Sequence, residues 1–299
     1  MVLDCVIIGG GPAGLNAALV LGRAKKNIIV FDDNKPRNAV THESHGFITR
    51  DKIKPAEFKR YALEDLKEYS NIIIKNQRVF DIKTENDRFL ILTKDGNTFE
   101  ARKVILATGL TDILPAIKGI HEFYGESLFS CPFCDGWELQ DRPLVVISEN
   151  ERAFHMTKMI RNWSKDVVLC TNGQKVLSSE QRELLANKDI EVIEEEIEYL
   201  QGEDGRLRKI ILKSGREVAR EGGFVTTGLQ QASPLAQQLG CSMNSMGGID
   251  TDNSGRTAIA GVYACGDNSI IAPAQLIIAA AEGSKAAIAV VGDLVNEDF

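Results

Sequence analysis

The chain has 299 residues, of which 43% are hydrophobic and 26% are charged, and its formal net charge is −7. This composition is typical of globular proteins with an apolar core, and the length suffices for two domains of ordinary size. The negative charge, without runs of lysine or arginine, argues against nucleic-acid binding. Gly or charged residues interrupt the apolar runs, and the first residues lack a secretory signal, so we expect a cytoplasmic protein without membrane association.

The N-terminal part of the chain has the order of elements found in dinucleotide-binding domains. Val2–Ile8 is predicted to be a buried strand because it is short, apolar and rich in branched residues. The glycine-rich loop Gly9–Gly14 and a helix over Leu15–Lys25 follow, and a second strand, Ile28–Phe31, ends just before Asp32. These elements form the dinucleotide fingerprint in its required context.

The loop residues have separate predicted roles in holding a nucleotide. Gly9 permits a tight turn, Gly11 lets the backbone approach a pyrophosphate, and Gly14 lets the helix lie close to the strand. Asp32 is placed to accept hydrogen bonds from an adenosine ribose.

The following segments extend this first domain. Lys35–Arg50 is predicted to be a long loop, in which His45 lies either beside a cofactor or as an ordinary loop histidine. We favour the second interpretation, because nothing local fixes its geometry. A helix is predicted over Pro55–Tyr69, and predicted strands follow at Ile72–Ile74, Arg78–Thr84, Arg88–Thr93, Thr98–Ala101 and Lys103–Ala107. The last strand leads into Thr108 and Gly109, small residues that let the backbone pass near a ligand.

Two cysteines three positions apart, Cys131 and Cys134, can close a small disulfide ring when they begin a helix. Pro132 favours such a start, because its fixed φ suits the first helical turn and its missing N–H would be unpaired there. A helix N-terminus favours the thiolate form, and Asp135 is placed to move a proton to or from a departing sulfur. We therefore predict a redox-active pair.

The alternative interpretation of this pair is half of a zinc site. Such a site needs a second CxxC motif or a Cys/His pair at ligand spacing, and the sequence has neither, so we predict no metal. The remaining cysteines lie in apolar, strand-like surroundings and are predicted to be inert core thiols: Cys5, Cys170, Cys241 and Cys265.

A second strand–helix–strand unit follows, with predicted strands at Pro143–Ser148 and Asp166–Cys170 around a helix at Glu151–Trp163. Its loop reads Ser148-Glu149-Asn150-Glu151-Arg152-Ala153, where a nucleotide loop would carry GxGxxG or GxGxxA. Two carboxylates would repel a pyrophosphate, and β-carbons stand where close approach needs none. We predict a retained fold with a lost or altered dinucleotide site; the alternative is an atypical loop that still binds NADPH weakly.

The last part of the chain returns to short strands and one long helix. Predicted elements are a helix at Ser178–Asn187 and strands at Ile190–Tyr199, Leu207–Lys213, Gly223–Thr226 and Gly261–Cys265. Gly266 and Asp267 end the last strand, before an apolar helix over Ala274–Val295. An aspartate there can bind a ribityl hydroxyl, and the helix N-terminus could point at a reduced flavin.

Together these residues resemble the low-molecular-weight thioredoxin reductase family of flavoproteins over nearly the whole chain. The resemblance rests on Gly9–Gly14 with Asp32, Ala107-Thr108-Gly109, Cys131-Pro132-Phe133-Cys134-Asp135-Gly136, and Cys265-Gly266-Asp267 with Gln275. It implies an α/β fold of two nucleotide-binding, Rossmann-like three-layer domains, the second inserted in the first. Residues 1–115 and 245–299 would form the FAD-binding domain, and residues 116–244 the redox-dithiol domain with the NADPH-domain fold. A homodimer with rotation between the domains is also implied.

The resemblance assigns a role to each matching position. Cys134 would face the flavin, Cys131 would react with the substrate disulfide, and Asp135 would be the acid/base. The residues predicted to bind FAD are Gly9, Gly11, Pro12, Ala13, Gly14, Asp32, Asn38, Thr108, Gly109, Gly266, Asp267 and Gln275.

The chain departs from the family pattern mainly in the inserted domain. The family's GxGxxA is reduced to Ala153, its His-Arg-Arg is replaced by Thr171-Asn172-Gly173, and the arginine before Gln275 is replaced by Ala274. These changes put NADPH in doubt as the hydride donor. With these changes the chain resembles two side branches of the family, the ferredoxin-dependent flavin thioredoxin reductases and the FAD-dependent dithiol oxidases. The loop around Asn38 is also similar to that of the dithiol oxidases.

We therefore predict an FAD-dependent dithiol–disulfide oxidoreductase that exchanges electrons between flavin, the Cys131/Cys134 pair and an external disulfide or dithiol. Its partner would be a thioredoxin-like protein or a small disulfide or dithiol, with ferredoxin or flavodoxin as donor or oxygen as acceptor. The alternatives are a conventional NADPH-dependent thioredoxin reductase with an atypical loop and a non-enzymatic flavin redox sensor.

Overall fold

A computed structural model describes residues 2–299 of the chain. The residues divide into two compact units. Of the described residues, unit 1 comprises 2–39, 46–111 and 230–299, and unit 2 comprises 40–45 and 112–229. Both units contain a parallel sheet with helices, so the predicted α/β class, with one Rossmann-like domain inserted in another, is confirmed.

The chain contains strands and helices of very different length. The strands are β1 (Leu3–Ile8), β2 (Ile28–Phe31), β3 (Ile72–Lys75), β4 (Val79–Glu85), β5 (Arg88–Thr93), β6 (Thr98–Leu106), β7 (Leu110–Ile113), β8 (Leu128–Phe129), β9 (Leu144–Ile147), β10 (Val167–Cys170), β11 (Glu191–Ile193), β12 (Ile197–Glu203), β13 (Arg206–Leu212), β14 (Glu217–Ala219), β15 (Gly222–Val225), β16 (Gly228–Gln231) and β17 (Val262–Ala264). The helices are α1 (Pro12–Arg23), α2 (Pro55–Leu66), α3 (Ile120–Phe123), α4 (Pro132–Asp135), α5 (Arg152–Ile160), α6 (Ser179–Ala186), α7 (Leu235–Gln238) and α8 (Leu276–Asp298), and Arg37–Val40 forms a 3₁₀ turn.

The sheet of unit 1 is built around β1 in the order β3-β2-β1-β6-β5-β4, with β17 also paired to β6. Ile7 lies between Val30 of β2 and Ile105 of β6, all in parallel register. These branched residues are fully buried, as expected for a parallel strand covered on both faces.

One strand, β6, covers two segments that the sequence predicted to be separate strands. The predicted strands Thr98–Ala101 and Lys103–Ala107 are a single strand in the structure, so that prediction is wrong in detail. Its first half pairs antiparallel with β5, and its second half pairs parallel with β1. Arg102, which lies between the two predicted strands, is only partly exposed and pairs with the side-chain carboxylate of Asp298, so charge there does not mark a loop.

The glycine-loop helix α1 packs against the C-terminal helix α8. Small buried side chains such as Ala17 and Ala286 face a common core, which lets the two helices approach closely. Asn16 fixes their alignment, because its side-chain amide donates to the carbonyl oxygen of Ala280 at 2.8 Å and to Oγ of Ser284 at 2.7 Å. The helix that ends the chain therefore supports the loop that begins it.

Unit 2 has a five-stranded parallel sheet in the order β11-β10-β9-β15-β8 and a three-stranded antiparallel sheet of β12, β13 and β14. The predicted strand Ile190–Tyr199 is two strands, because β11 pairs with β10 and β12 pairs with β13 in the other sheet. Within residues 2–299, no helix is both long and apolar enough to cross a membrane.

Candidate active site

The cysteine pair forms a disulfide at the start of a one-turn helix. Cys131 and Cys134 are bonded, with Cα atoms 5.3 Å apart. Cys131 caps α4, with Pro132 in its first turn. The backbone N–H groups of Cys134 and Asp135 both donate to the carbonyl oxygen of Cys131 at 3.2 Å. The predicted disulfide ring and its helical start are therefore confirmed.

Asp135 places a buried acid beside the disulfide. The residue is 8% exposed. Burial raises the pKa of its carboxyl to about 7; the charge of His45 opposes this rise, and that of Glu138 adds to it. A carboxyl group that titrates near neutral pH can hold and release a proton, which is what a departing sulfur requires.

His45 reaches the same place from the loop before α2. Its Nε2 lies 3.4 Å from Oε1 of Glu138 and 3.6 Å from Oε2 of Glu43. Both ring nitrogens are buried and find no hydrogen-bond partner among residues 2–299. The interpretation as an ordinary loop histidine missed this placement, because Glu138 and Asp135 are distant in the sequence.

Large aromatic side chains flank the disulfide. Phe133 is 62% exposed and Trp137 is 67% exposed. The ring of Phe133 meets Trp163 edge-on, with the ring centroids 5.6 Å apart. Exposed aromatic surface next to a reactive group suits contact with an apolar part of a partner molecule.

The glycine-rich loop turns from β1 into α1 with no room for side chains at two positions. Gly9 has a φ of +113°, and a Cβ atom there would lie 2.1 Å from the carbonyl oxygen of Ala107. A Cβ on Gly14 would lie 1.9 Å from the carbonyl oxygen of Gly9. Beside Gly11, by contrast, a Cβ would meet no described atom within 4 Å. Open space therefore lies at the N-terminus of α1, whose first turn contains Pro12.

Asp32, which follows β2, forms an ion pair with Lys59 of α2. Lys59 also donates a 2.6 Å hydrogen bond to Oδ1 of Asn34. Next to these side chains is a cavity of about 190 Å³, which is also lined by Gly10 and Leu15. The predicted ribose-binding acid thus faces a cavity beside the glycine-rich loop. Lys59 was missed in the sequence, where only an amphipathic helix pattern surrounds it.

The residues after β17 contact the 3₁₀ turn of the first loop. Nη1 of Arg37 donates a 3.2 Å hydrogen bond to Oδ2 of Asp267. Asn38 lies in the same 3₁₀ turn, directly after Arg37. Two predicted cofactor residues from opposite ends of the chain, Asn38 and Asp267, are thereby brought to one side of unit 1.

Asn268 was not predicted, although it directly follows Asp267. It is fully buried, and its side-chain amide donates to the carbonyl oxygen of Leu106 at 3.0 Å and to Oγ1 of Thr108 at 3.3 Å. Its Oδ1 is buried and has no hydrogen-bond partner within residues 2–299. This side chain ties β17 to the end of β6, where Gly109 follows Thr108.

The other predicted cofactor residues lie at neighbouring positions. Because β1, β6 and β17 are adjacent and parallel, their carboxyl ends bring Gly9, Thr108 and Gly266 to one edge of the sheet. Gln275 is the residue before α8, and Ala13 is a buried residue of α1. Parallel α/β sheets bind ligands at this edge.

In unit 2, side chains of the corresponding loop form hydrogen bonds with residues of neighbouring loops. Oε1 of Glu149 accepts a 2.5 Å hydrogen bond from Nδ2 of Asn172, whose Oδ1 accepts one of 2.8 Å from the N–H of Ile197. The guanidinium of Arg152, the first residue of α5, donates to the carbonyl oxygen of Thr227 at 2.5 Å. The turn between β9 and α5 is therefore bonded to the residues that follow β10 and β15.

The remaining cysteines are buried free thiols, as predicted. Burial raises the pKa of Cys170 and of Cys265 to about 12, and that of Cys5 and Cys241 is also raised by burial. These thiols are inert, because the thiolate is the reactive form. Among residues 2–299, no cluster of three or more His, Cys, Asp or Glu side chains could hold a metal ion.

Comparison with known proteins identifies the class. The model of the pyridine nucleotide-disulphide oxidoreductase family matches residues 3–283. The chain belongs to this family, and it is an oxidoreductase of the thioredoxin reductase-like group. The predicted family is therefore confirmed.

Three relatives illustrate the similarity. The Bacillus anthracis protein assigned as the thioredoxin reductase TrxB superposes with a TM-score of 0.96 and 47% identity over 99% of this chain and 100% of that one. Thioredoxin reductase tcpT of Claviceps purpurea is 32% identical over 89% of this chain and 87% of its own length. A probable thioredoxin reductase of Arthroderma benhamiae is 32% identical over 57% of this chain and 44% of its own length.

Membership of this family implies an FAD cofactor, and unit 1 has features that fit one. Open space at Gly11 lies at a helix N-terminus, which favours a pyrophosphate. Asp32 faces a cavity beside that loop. The orphaned Oδ1 of Asn268 lies in the chain segment just after β17, at the ligand-binding edge of the sheet.

Proposed function

We propose that this protein is an FAD-dependent dithiol–disulfide oxidoreductase that exchanges electrons between flavin, the Cys131/Cys134 pair and an external disulfide or dithiol, without ordinary NADPH binding. The observation that carries the proposal is the disulfide beside Asp135, whose burial raises the pKa of its carboxyl to about 7. A merely structural disulfide would gain nothing from a buried acid that titrates at neutral pH.

The two domains would have separate roles in the reaction. Residues 1–115 and 245–299 would bind FAD, and residues 116–244 would carry the dithiol. FAD, when bound, supplies a group that takes up or gives two electrons. The residues proposed to hold it are Gly9, Gly11, Pro12, Ala13, Gly14, Asp32, Asn38, Thr108, Gly109, Gly266, Asp267 and Gln275.

The chain's own residues account for the exchange step. A substrate thiolate attacks Sγ of Cys131, and the bond to Cys134 breaks as the new disulfide forms. Cys134 leaves as a thiolate and takes a proton from Asp135. The second substrate thiolate then attacks the substrate sulfur of the mixed disulfide and releases Cys131. The substrate dithiol has lost two electrons, and the pair has gained them; reduction of a disulfide is the reverse.

The altered loop supports the absence of ordinary NADPH binding. The Glu149 carboxylate and the Arg152 guanidinium are both engaged in internal hydrogen bonds. No glycine lets the backbone approach a pyrophosphate there, and the carboxylates of Glu149 and Glu151 oppose its charge. A conventional NADPH-dependent thioredoxin reductase would need this turn to rearrange.

The exposed aromatic pair beside the disulfide supports an external partner. Phe133 and Trp137 would contact a thioredoxin-like protein or a small dithiol or disulfide. Ferredoxin or flavodoxin would be the donor in a reductase, and oxygen would be the acceptor in an oxidase. Relatives named thioredoxin reductases favour the reductase direction. The homodimer that the family resemblance implies is part of the proposal.

Anaerobic titration of the flavin absorbance tests the proposal. NADPH should bleach the flavin slowly or not at all, whereas reduced ferredoxin or a dithiol such as dithiothreitol should bleach it quickly. Cys134→Ser should abolish bleaching by the dithiol, and Cys241→Ser, which changes an unreactive buried thiol, is the matched control. Fast bleaching by NADPH would establish the conventional reductase instead.

Air reoxidation distinguishes the remaining possibilities. Dithiol-reduced protein that turns over many equivalents of dithiol in air is an oxidase. A protein that reduces a thioredoxin-like disulfide with electrons from ferredoxin is a reductase. No turnover of any tested disulfide or dithiol, in the unmodified protein and in Cys134→Ser alike, would favour a non-enzymatic flavin redox sensor.

A further inference from the structure

The imidazole of His45 is buried without a hydrogen bond beside the disulfide loop. Its side chain is 12% exposed, and neither ring nitrogen has a hydrogen-bond partner within the described chain. Burying ring nitrogens without hydrogen bonds costs free energy, so a histidine placed this way calls for a role. Its sequence neighbour His42, in contrast, is exposed and bonded, with Nε2 2.6 Å from Oε2 of Glu126.

We propose that His45 is a positioning residue for the dithiol chemistry: its imidazole, held between Glu43 and Glu138, sets how readily Asp135 gives up the proton that the departing sulfur takes. The inference rests on the proposed function of the Cys131/Cys134 pair. It assigns a role to a residue outside the cysteine motif.

The arrangement of charges around His45 supports this role. The charged groups that face the imidazole are Glu43 from its own loop and Glu138 and Asp135 from the segment after the cysteines. Glu138 follows Asp135 by one turn and lies 3.4 Å from Nε2 of the histidine. The charge of His45 therefore offsets the effect of Glu138, which raises the pKa of Asp135.

The proton path in this step is balanced within the protein. When Cys134 leaves, the Asp135 carboxyl transfers its proton to the sulfur and becomes a carboxylate. The charge of His45 favours this carboxylate, because it opposes the rise in the pKa of Asp135. In the reverse step the Cys134 thiol returns its proton to Asp135, and the substrate dithiol or disulfide remains the only other redox reactant.

The test compares His45→Gln with Glu138→Gln in the full-length, FAD-loaded protein. Infrared titration of the carboxyl band that Asp135→Asn removes reports the pKa of Asp135 directly. His45→Gln should raise it by about one unit, because a nearby positive charge is lost, and Glu138→Gln should lower it. The pH profile for opening of the disulfide by dithiothreitol, followed by thiol alkylation, should move in the same directions.

The control variant is His42→Gln, which changes an exposed histidine in the same loop and should leave both titrations unchanged. Opposite shifts in the two test variants support the proposal, since damage to the fold would not shift the titration in opposite directions. An unchanged titration in His45→Gln, or shifts of the same sign in both variants, overturns it. If Cys134→Ser leaves dithiol turnover intact, the proposed function fails, and the infrared titration then shows separately whether His45 sets the pKa of Asp135.

Discussion

The carboxylate of Glu149 and the side-chain amide of Asn172 are joined by a 2.5 Å hydrogen bond across unit 2. The bond connects the turn after β9 to the turn after β10, the two places where a dinucleotide-binding domain meets its ligand. In this chain, side chains at these two positions form a hydrogen bond with each other. The bond therefore fastens these two turns of unit 2 to each other.

Asn172→Ala should destabilise the protein without creating NADPH binding. The variant loses the bond to Glu149, leaves the N–H of Ile197 without its partner, and puts alanine at a φ of +49°. We expect a loss of about 2–3 kcal/mol in stability from the two lost hydrogen bonds and the left-handed backbone. Thermal denaturation followed by circular dichroism measures the loss, and flavin bleaching by NADPH should stay slow.

Asn86→Ala is the control for the backbone contribution. Asn86 has the same φ of +49°, but it lies in the exposed turn between β4 and β5. The Asn86→Ala variant should therefore lower the melting temperature less than Asn172→Ala does. Equal losses would mean that the hydrogen bonds of Asn172 add nothing.

Sequence patterns predicted the elements in which buried residues form a clear local pattern. The strand Ile28–Phe31 has the predicted bounds, because all four residues face the core. Short elements such as β8 and α7, with two and four residues, were missed because they are too short to show a period. The division of Ile190–Tyr199 between two sheets depends on strand pairing, which the sequence does not reveal.

The same limit applies to the candidate site. The Cys131/Cys134 ring was predictable because two cysteines and a proline define it locally. His45 and Lys59 were not, since their partners Glu138 and Asp32 are remote in the chain and only the fold brings them together. Local motifs therefore identified the reacting groups, whereas the groups that tune them needed the structure.

Gly11→Ala should separate the binding of FAD from the folding of the protein. A Cβ on Gly11 meets no described atom within 4 Å, and the backbone φ of −79° suits alanine. The fold should survive, but the methyl group would occupy the space proposed for the pyrophosphate. We expect FAD affinity to fall by tenfold or more, about 1.4 kcal/mol, measured by flavin fluorescence on titration of the apoprotein.

Gly14→Ala is the contrasting variant. Its Cβ would lie 1.9 Å from the carbonyl oxygen of Gly9, so the helix must move away from the loop. This variant should lose both stability and flavin, whereas Gly11→Ala should lose flavin alone. If Gly11→Ala binds FAD as tightly as the unmodified protein, the pyrophosphate does not lie at this loop.

Asp135→Asn should make the protein more stable at alkaline pH and less active. An unfolded aspartate titrates near 3.9, whereas burial raises the pKa of Asp135 in the folded protein to about 7. Between these values the folded state binds more protons, so stability falls as pH rises, and the full cost is present above pH 7. Three pKa units correspond to about 4 kcal/mol. Asparagine avoids this cost, so the gain in melting temperature should be largest at pH 8 and shrink steadily towards pH 5.

The activity of the same variant should change in the opposite sense. Without an acid beside the sulfur, opening of the disulfide by dithiothreitol should slow by about 10²-fold or more at neutral pH. Asp65→Asn, which removes an exposed carboxylate from α2, should alter neither property. A variant that is less stable than the unmodified protein at pH 8, or one that exchanges thiols at the normal rate, would show that Asp135 is not a buried acid that serves the Cys131/Cys134 pair.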